Sequence, residues 1–381
     1  MTRQFARERI IPPFLFATVA AFFVLPNNVA LNKVYYALVM PVVLLSMGSA
    51  DYRRLLQHPM LRWSTAFILF MTLSAAWSPA TGQGPASLLI YGASTLVFIL
   101  LVSSCERRWL DRLPDWCAAI VVLHAATILA AWYSRHGFTE PLEGIGRLEH
   151  QLELAQVYAS IAAMCLVHGM RAGQPMRWVH LGAVAICLLA ILLTGRRAPL
   201  LAFAAVATLS AVAHRSAHTA KFIGGLAAAG AALVLLVPQV RQALMERGTS
   251  MRPDIWAEGW QRIDQNGAWV LGNGYGASAA LDVGNMAIRH YHDIFLATLF
   301  YGGVVGIALL CGLLAATVIR GIRAPATQPW LAAFCVGTGC LLTNGDRLVI
   351  HPHPVWLYFW LPATLIAIYS TAPSNTENPT R

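Results

Sequence analysis

The stretch HDIFLATLFYGGVVGIALLCGLLAATV, residues 292–318, decides the fold class of this chain. After Asp293 it holds no charged residue, and it is longer than the roughly 17–25 apolar residues that span a bilayer as a helix. Such a run predicts a transmembrane helix. Comparable runs recur along the chain, and together they predict an all-α integral membrane protein with about twelve spans.

The predicted spans are spaced along the whole chain, 1–381, which we interpret as a single polytopic membrane domain. They cover 12–28, 34–49, 62–78, 86–104, 116–134, 152–170, 178–194, 198–214, 220–237, 292–318, 329–344 and 354–371. The segment 238–291, between the ninth and tenth spans, is the one connection longer than about twenty residues. It is polar and is predicted to form a long loop outside the membrane.

Composition excludes an ordinary soluble protein. Apolar residues make up 57% of the chain and charged residues 12%, against roughly 25% charged residues in soluble domains. The net charge of +10 comes with arginines scattered at the ends of loops, where they set topology and meet lipid phosphates. We therefore expect membrane lipids, and no nucleic acid, as partners. The cysteines form no CxxC pair, so a zinc site built on thiolates is not expected.

The distribution of basic residues predicts the orientation of the chain. Among the short connections, lysines and arginines concentrate on the side that carries both termini. Positively charged loops remain in the cytoplasm. Both termini are thus predicted to be cytoplasmic, and the loop 238–291 periplasmic.

Two adjacent arginines, Arg196 and Arg197, interrupt this charge pattern in the tight outer turn TGRRA, residues 194–198. Neighbouring guanidinium groups can hold a pyrophosphate through paired hydrogen bonds. Their side chains can equally extend to the head groups of outer-leaflet lipids. The spacing alone leaves both interpretations open.

The long loop contains a predicted amphipathic helix. In DIWAEGWQRI, residues 254–263, the apolar side chains fall on one helical face, which is typical of a helix lying in the membrane interface. Arg252 is predicted to lie just before this helix. Further along, GNGYG at 272–276 lacks the spacing and context of a nucleotide-binding loop, so we interpret it as a tight turn that returns the chain to the membrane.

Histidines flank the two last outer connections. His290 and His292 lie where the loop enters the tenth span, and an imidazole there can take a proton from a hydroxyl nucleophile. His351 and His353, next to Asp346, lie in another outer connection, so a zinc site of four histidines is an alternative. An interfacial histidine that only anchors the helix is a further alternative.

Arg147 precedes the sixth span on the same outer side. With Arg197, Arg252 and His292 it predicts a cationic, histidine-bearing rim for an anionic ligand. Inside the spans charged residues are nearly absent, and His124 is interpreted as a core histidine hydrogen-bonded between helices.

These stretches resemble the O-antigen ligase family, which includes O-antigen polymerases and protein O-oligosaccharyltransferases. GRRAPLLA at 195–202 resembles its Ser-Arg-Gly-Ala turn, with Arg197 on the motif arginine. Arg252 followed by Trp256 and then VLGNGYG at 270–276 resembles the loop pattern. HYHDIFL at 290–296 resembles the His-x-His-Asn entry to the next span, and GGVVG at 302–306 resembles the Gly-hydrophobic-hydrophobic-Gly stretch that follows it. Asp293 replaces the usual Asn. The motifs occupy about 195–306, and the topology matches along the whole chain.

The resemblance implies a GT-C-like membrane glycosyltransferase in the bacterial inner membrane, with a periplasmic active site. It implies transfer of a glycan, the O-antigen, from undecaprenyl pyrophosphate to a sugar hydroxyl of lipid A-core, with inversion. His292 would be the general base, and Arg197 and Arg252 would bind the pyrophosphate. Arg196, Arg147 and His290 are further candidates for substrate binding. No metal and no cofactor are expected, because arginines can stabilise the charge of the departing group.

Three alternatives remain. An O-antigen polymerase would join glycan repeats on the lipid carrier, and a protein O-oligosaccharyltransferase would glycosylate Ser or Thr. A transporter or flippase, from a different class, should carry ionisable residues within its spans.

Overall fold

The computed structural model describes residues 6–48, 57–79, 84–137, 140–214, 217–236, 241, 251–283 and 286–371. Helices dominate this part of the chain. In chain order they are α1 (Ile11–Val24), α2 (Asn28–Ser46), α3 (Pro59–Leu73), α4 (Pro85–Ser104), α5 (Leu113–His136), α6 (Gln151–Arg171), α7 (Met176–Leu193), α8 (Arg197–His214), α9 (Ala217–Leu236), α10 (Arg252–Asn266), α11 (Ile294–Arg323), α12 (Gln328–Asn344) and α13 (Trp356–Ser370).

Each predicted span overlaps one of these helices, and α10 falls in the predicted loop. Within the described residues, six helical segments are long and apolar enough to cross a membrane. They are Asn28–Ser46, Pro85–Ser104, Arg107–His136, Gln151–Arg171, Met176–Leu193 and Ile294–Arg323. The structure is thus mostly helical, as expected of an all-α multi-pass membrane protein, and its number of spans stays a prediction.

The helices begin where the sequence supplies suitable residues. Pro12 and Pro13 lie in the first turn of α1, directly after the π-helical turn Ala6–Ile10, so the change from π-helix to α-helix falls at these prolines. The side chain of Asn27 accepts a hydrogen bond from the Ala30 amide and caps α2. The carboxylate of Asp293 accepts one from the Leu296 amide at 2.7 Å and caps α11. Asn and Asp serve equally well in this role, which explains why Asp is tolerated here.

Helix α6 forms the centre of the bundle. In the most apolar 18 residues of α6, 83% are buried, whereas 33% are buried in the corresponding stretch of α11. It packs against α5, α7, α8 and α12. Inside this core the ring of His124 hydrogen-bonds the hydroxyl of Tyr158 at 2.8 Å, joining α5 to α6. The interpretation of His124 as a core histidine bonded between helices is confirmed.

Helix α11 is broken at Gly303, whose φ is 60° and ψ is −161°. The glycine-rich turn of the long loop fills the break. The amides of Asn273 and Gly274 donate to the carbonyls of Phe300 and Tyr301 at 2.8 and 2.9 Å, and the amide of Val304 donates to the Trp269 carbonyl at 2.8 Å. A helix can be interrupted in an apolar environment only where other groups satisfy its backbone, and here the loop does so.

The same turn explains the glycines of GNGYG. Gly272 has φ 70° and Gly274 has φ 83°, values that side chains rarely tolerate. A Cβ on Gly272 would overlap the backbone of Tyr301 and Gly302. This stretch is therefore a structural turn fitted to α11, and the prediction of a tight turn is confirmed.

Of the predicted loop 238–291, the residues 238–240, 242–250 and 284–285 lie outside the described part. In the rest, α10 begins at Arg252 itself rather than after it. Its residues Ile255, Gly259 and Ile263 are buried, whereas Trp260 is 54% exposed. Two short antiparallel strands follow, β1 (Leu281–Val283) and β2 (Met286–Ile288), with Leu281 opposite Ile288.

Candidate active site

The candidate site lies where several helices end and loops turn, and contacts between side chains connect these ends. The contributing segments are the first turn of α6 with the residues before it, the turn between α7 and α8, the start of α10, residues 290–293 before α11, and residues 344–353 after α12. Residues 290–293 and 344–347 carry the groups closest to His292.

His292 occupies an unusual backbone position. Its φ of 55° is the single positive value among the non-glycine residues of the described chain. Left-handed conformations cost side-chain-bearing residues about 1 kcal/mol, and such strain concentrates at functional sites. The ring Nδ1 lies 2.8 Å from Oδ1 of Asn344, and the ring centroid lies 3.9 Å from that of His290.

The surroundings of His292 favour its neutral form. Burial, the neighbouring His290 and the charge of Arg252 lower its pKa, whereas the hydrogen bond that the ring donates to Asn344 and the charge of Asp346 raise it, and the net shift is downward. The half-buried ring is therefore neutral near pH 7. A neutral imidazole can accept a proton, which is what a general base requires.

Arg252 is contributed by the long loop. It is half-buried as the first residue of α10, and burial lowers the pKa of its guanidinium. Its charge acts on the pKa of His292. Of the residues that the sequence selected, the fold thus brings His290 and His292 into contact and places Arg252 where its charge acts on His292. Placing a cation at a helix N-terminus is unfavourable, so stability of α10 does not explain this arginine.

Arg196 is tied to the first turn of α6, because its Nη2 donates to Oε1 of Gln151 at 2.7 Å. The residue before Gln151 is His150, whose charge lowers the pKa of His290. Arg196 thereby lies close to the histidine segment. Arg197 opens α8 and is exposed, and its part in donor binding stays a prediction.

Arg147 is 5% exposed and is already engaged by protein groups. Its Nη1 donates to Oε2 of Glu153 at 2.6 Å, and Oε1 of the same carboxylate lies 3.0 Å from Nε2 of His353. His353 also acts on the nearby His351, and together with burial it lowers the pKa of that imidazole to about 4. Because Glu153 compensates its charge, Arg147 is less suited to grip a ligand anion than the sequence indicated. Its binding role stays a prediction.

A fifth arginine, Arg347, links the loop to the site. Its guanidinium lies over the rings of Tyr301 and Tyr275 at 4.6 and 5.2 Å, and its Nη2 donates to the Tyr301 hydroxyl at 3.1 Å. The Tyr301 hydroxyl in turn lies 3.3 Å from Oδ1 of Asp346. Burial raises the pKa of the Asp346 carboxyl despite the adjacent Arg347. This cluster fixes the carboxylate that faces His292.

Sequence reasoning missed Asn344, Arg347, Gln151 and Glu153. One signal was available for Glu153, since a carboxylate in the first turn of an apolar span is costly unless it is paired or functional. Another was the polar run NGDR at 344–347 in a very short outer connection. The contact between Asn344 and His292 is hidden because 52 residues of sequence separate them.

The geometry gives little support to a zinc site formed by the four histidines. His353 is engaged by Glu153 and His292 by Asn344, so the two histidine pairs have separate partners. In the described residues the donor atoms close enough to share an ion are those of Asp115, His168 and His180. They lie at the start of α5, the end of α6 and the start of α7, away from His292 along the chain. His180 Nε2 bonds the Asp115 carboxylate at 2.8 Å.

Comparison with known proteins adds to this arrangement. Residues 182–311 match the family model described as O-antigen ligase. This range contains Arg196, Arg197, Arg252, His290 and His292, the residues that the sequence motifs selected. The resemblance to the O-antigen ligase family is confirmed.

A second comparison extends the similarity beyond the matched domain. The chain is 27% identical over 378 residues to an O-antigen ligase of Pseudomonas aeruginosa, covering 96% of this chain and 92% of that relative. The similarity to an O-antigen ligase thus includes α1–α7 and α12–α13 as well as the matched domain. It implies a membrane glycosyltransferase that acts in lipopolysaccharide biosynthesis.

Proposed function

We propose that this protein transfers a glycan from undecaprenyl pyrophosphate to a sugar hydroxyl of lipid A-core. The proposal rests on His292, a half-buried imidazole that bonds Asn344 and whose pKa is lowered in part by the charge of Arg252, in a chain similar to an O-antigen ligase over nearly its whole length. A base beside a cation is the pairing needed to activate a hydroxyl and stabilise a departing anion.

In the proposed reaction the acceptor hydroxyl attacks the anomeric carbon of the donor sugar. A new glycosidic bond forms as the bond between that carbon and the pyrophosphate oxygen breaks. The proton of the hydroxyl passes to His292, and the bonding electrons leave with undecaprenyl pyrophosphate. A single in-line displacement of this kind inverts the anomeric centre.

Arginines stabilise the departing pyrophosphate in the proposed reaction. Charge grows on the bridging oxygen as the pyrophosphate departs, and guanidinium groups that hold it lower the barrier. We assign this role to Arg252 and Arg197, with Arg196 as a neighbour that is also tied to α6. Arg147 is the weakest member of the set because Glu153 already pairs with it. No metal or cofactor is required by this chemistry.

The proposed location follows from the charge bias of the loops. Both termini lie in the cytoplasm of the bacterium, the chain spans the inner membrane, and the site opens to the periplasm. There α10 acts as a flap over the site, with its exposed Trp256 and Trp260 at the interface.

An O-antigen polymerase or a protein O-oligosaccharyltransferase would use the same groups, so the acceptor decides among them. The lipopolysaccharide of a deletion strain separates these cases. We expect lipid A-core without long chains, together with accumulated carrier-linked polymer. Attachment of single repeats would instead identify a polymerase, and an unchanged profile would contradict action on lipopolysaccharide. Continued appearance of carrier-linked glycan in the periplasm also argues against a flippase.

A further inference from the structure

The end of helix α12 lies directly against the segment that carries His292. Gly345 follows the helix, and a Cβ at this position would overlap the backbone and side chain of Ile294. Only glycine allows so close an approach. The consequence is that Asn344, the last residue of α12, lies beside His292 although 52 residues separate them.

The hydrogen bond between these residues determines which ring nitrogen carries the proton. Oδ1 of Asn344 lies 2.8 Å from Nδ1 of His292, and an amide oxygen can only accept. Nδ1 must therefore carry the hydrogen in the neutral ring. The lone pair is then on Nε2, which leaves that nitrogen as the one able to take a proton.

We propose that Asn344 is a positioning residue that holds His292 in the tautomer with a basic Nε2. This inference rests on the proposed function, since it takes His292 as the general base. It assigns to Asn344 a task that neither the loop motifs nor the arginines perform. The strained backbone of His292 and the packed ring of His290 fix the remaining freedom of the imidazole.

The electrostatic surroundings make this role measurable through pH. The charged and titratable groups that act on His292 come from three parts of the chain; they are Arg252 on α10, His290 before α11 and Asp346 after α12. The neighbouring Asp293 turns its carboxylate to the Leu296 amide at the start of α11. An added negative charge at position 344 would stabilise the imidazolium and raise the pKa of His292. Loss of the acceptor would remove the preference between the two tautomers.

The test compares full-length variants in transfer assays with the lipid-linked donor and lipid A-core. Asn344→Leu keeps the side-chain size and removes the acceptor, and Asn344→Asp keeps the acceptor and adds charge. Thr343→Val is the matched control, because the one bond of the Thr343 hydroxyl to the described residues goes to the Cys340 carbonyl within its own helix. We expect Asn344→Leu to lower kcat by roughly tenfold or more with little change in donor KM. We expect Asn344→Asp to keep activity but to move its acidic limb to higher pH, and Thr343→Val to match the native protein.

A double variant separates this proposal from the proposed function. If Asn344 acts through His292, then His292→Ala with Asn344→Leu should be no slower than His292→Ala alone. An unchanged kcat and pH profile in both Asn344 variants, with His292→Ala inactive, would overturn the positioning role and leave the base intact. An active His292→Ala would overturn the base itself. Should Asn344→Leu not accumulate in the membrane, the pH profile of Asn344→Asp decides alone.

Discussion

Gly272 and Gly303 meet backbone to backbone, so the turn of the long loop lies inside the break of helix α11. A Cβ on Gly303 would overlap the Val270 carbonyl, and one on Gly272 would overlap Tyr301. The hydrogen bonds from Asn273 and Gly274 to the free carbonyls of α11 then hold the loop in place. Through this contact the loop that carries Arg252 is fixed relative to the helix that follows His292.

Substituting Gly303 by Ala should therefore destabilise the protein. The new methyl group requires φ 60° in a non-glycine residue and collides with backbone, which costs on the order of 1–3 kcal/mol. Melting in detergent measures the effect, with Gly182→Ala as control because nothing lies within 4 Å of that position. Equal melting temperatures for the two variants would contradict the fit between turn and helix.

The pair of Arg147 and Glu153 should behave as a buried ion pair. Glu153→Gln leaves the guanidinium of Arg147 unpaired, and such a loss costs about 3–5 kcal/mol. Changing Arg147→Met in the same protein should recover much of that stability. Accumulation in the membrane and melting temperature report both effects.

The same double variant tests whether Arg147 binds the donor. If its role is only structural, the recovered protein should keep a native donor KM. A strongly raised KM in a stable double variant would instead place Arg147 among the donor ligands.

Activity should depend on pH through His292. Its lowered pKa keeps the ring neutral at pH 7, so kcat should be constant there and fall only as the pH drops below the ordinary imidazole value of 6.5. The charge of Asp346 raises the pKa of His292. Asp346→Asn should accordingly move the acidic limb to lower pH, and a shift to higher pH would be inconsistent with this electrostatic account.

Arg252 and Arg197 should each contribute to use of the donor. A lysine keeps the charge but not the paired hydrogen bonds, so Lys variants should lie between the native protein and the Ala variants. Removing a charge-assisted hydrogen bond costs about 1.5–3 kcal/mol, or roughly 10- to 100-fold in kcat/KM. Arg108→Ala, an exposed arginine paired with Glu106, serves as control.

Sequence alone predicted the helical membrane class because the apolar runs are long and nearly free of charge. It also selected Arg196, Arg252, His290 and His292, since paired arginines in an outer turn break the charge pattern and histidines at the mouth of a span can act as bases. The turn at 272–276 was predicted as a turn, but its partner in the break at Gly303 was not. A glycine within an apolar run gives no sign of what approaches it.

The partners of the selected residues could not be predicted. Asn344 is an ordinary polar residue at a helix end, and only the packing of α12 against α11 brings it to His292. The sequence likewise did not show that Glu153 is the shared partner of Arg147 and His353. These two residues belong to different loops, one before α6 and one before α13. These contacts depend on how helices pack, and one sequence contains no direct record of that.

The central claim is that His292 removes the proton from the acceptor. The most direct measurement is transfer by purified His292→Ala, alongside binding of the lipid-linked donor by the same protein. If His292 is the base, transfer should fall by roughly 10²- to 10⁴-fold while donor binding stays close to native. Transfer at the native rate by a His292→Ala protein that binds donor would contradict it.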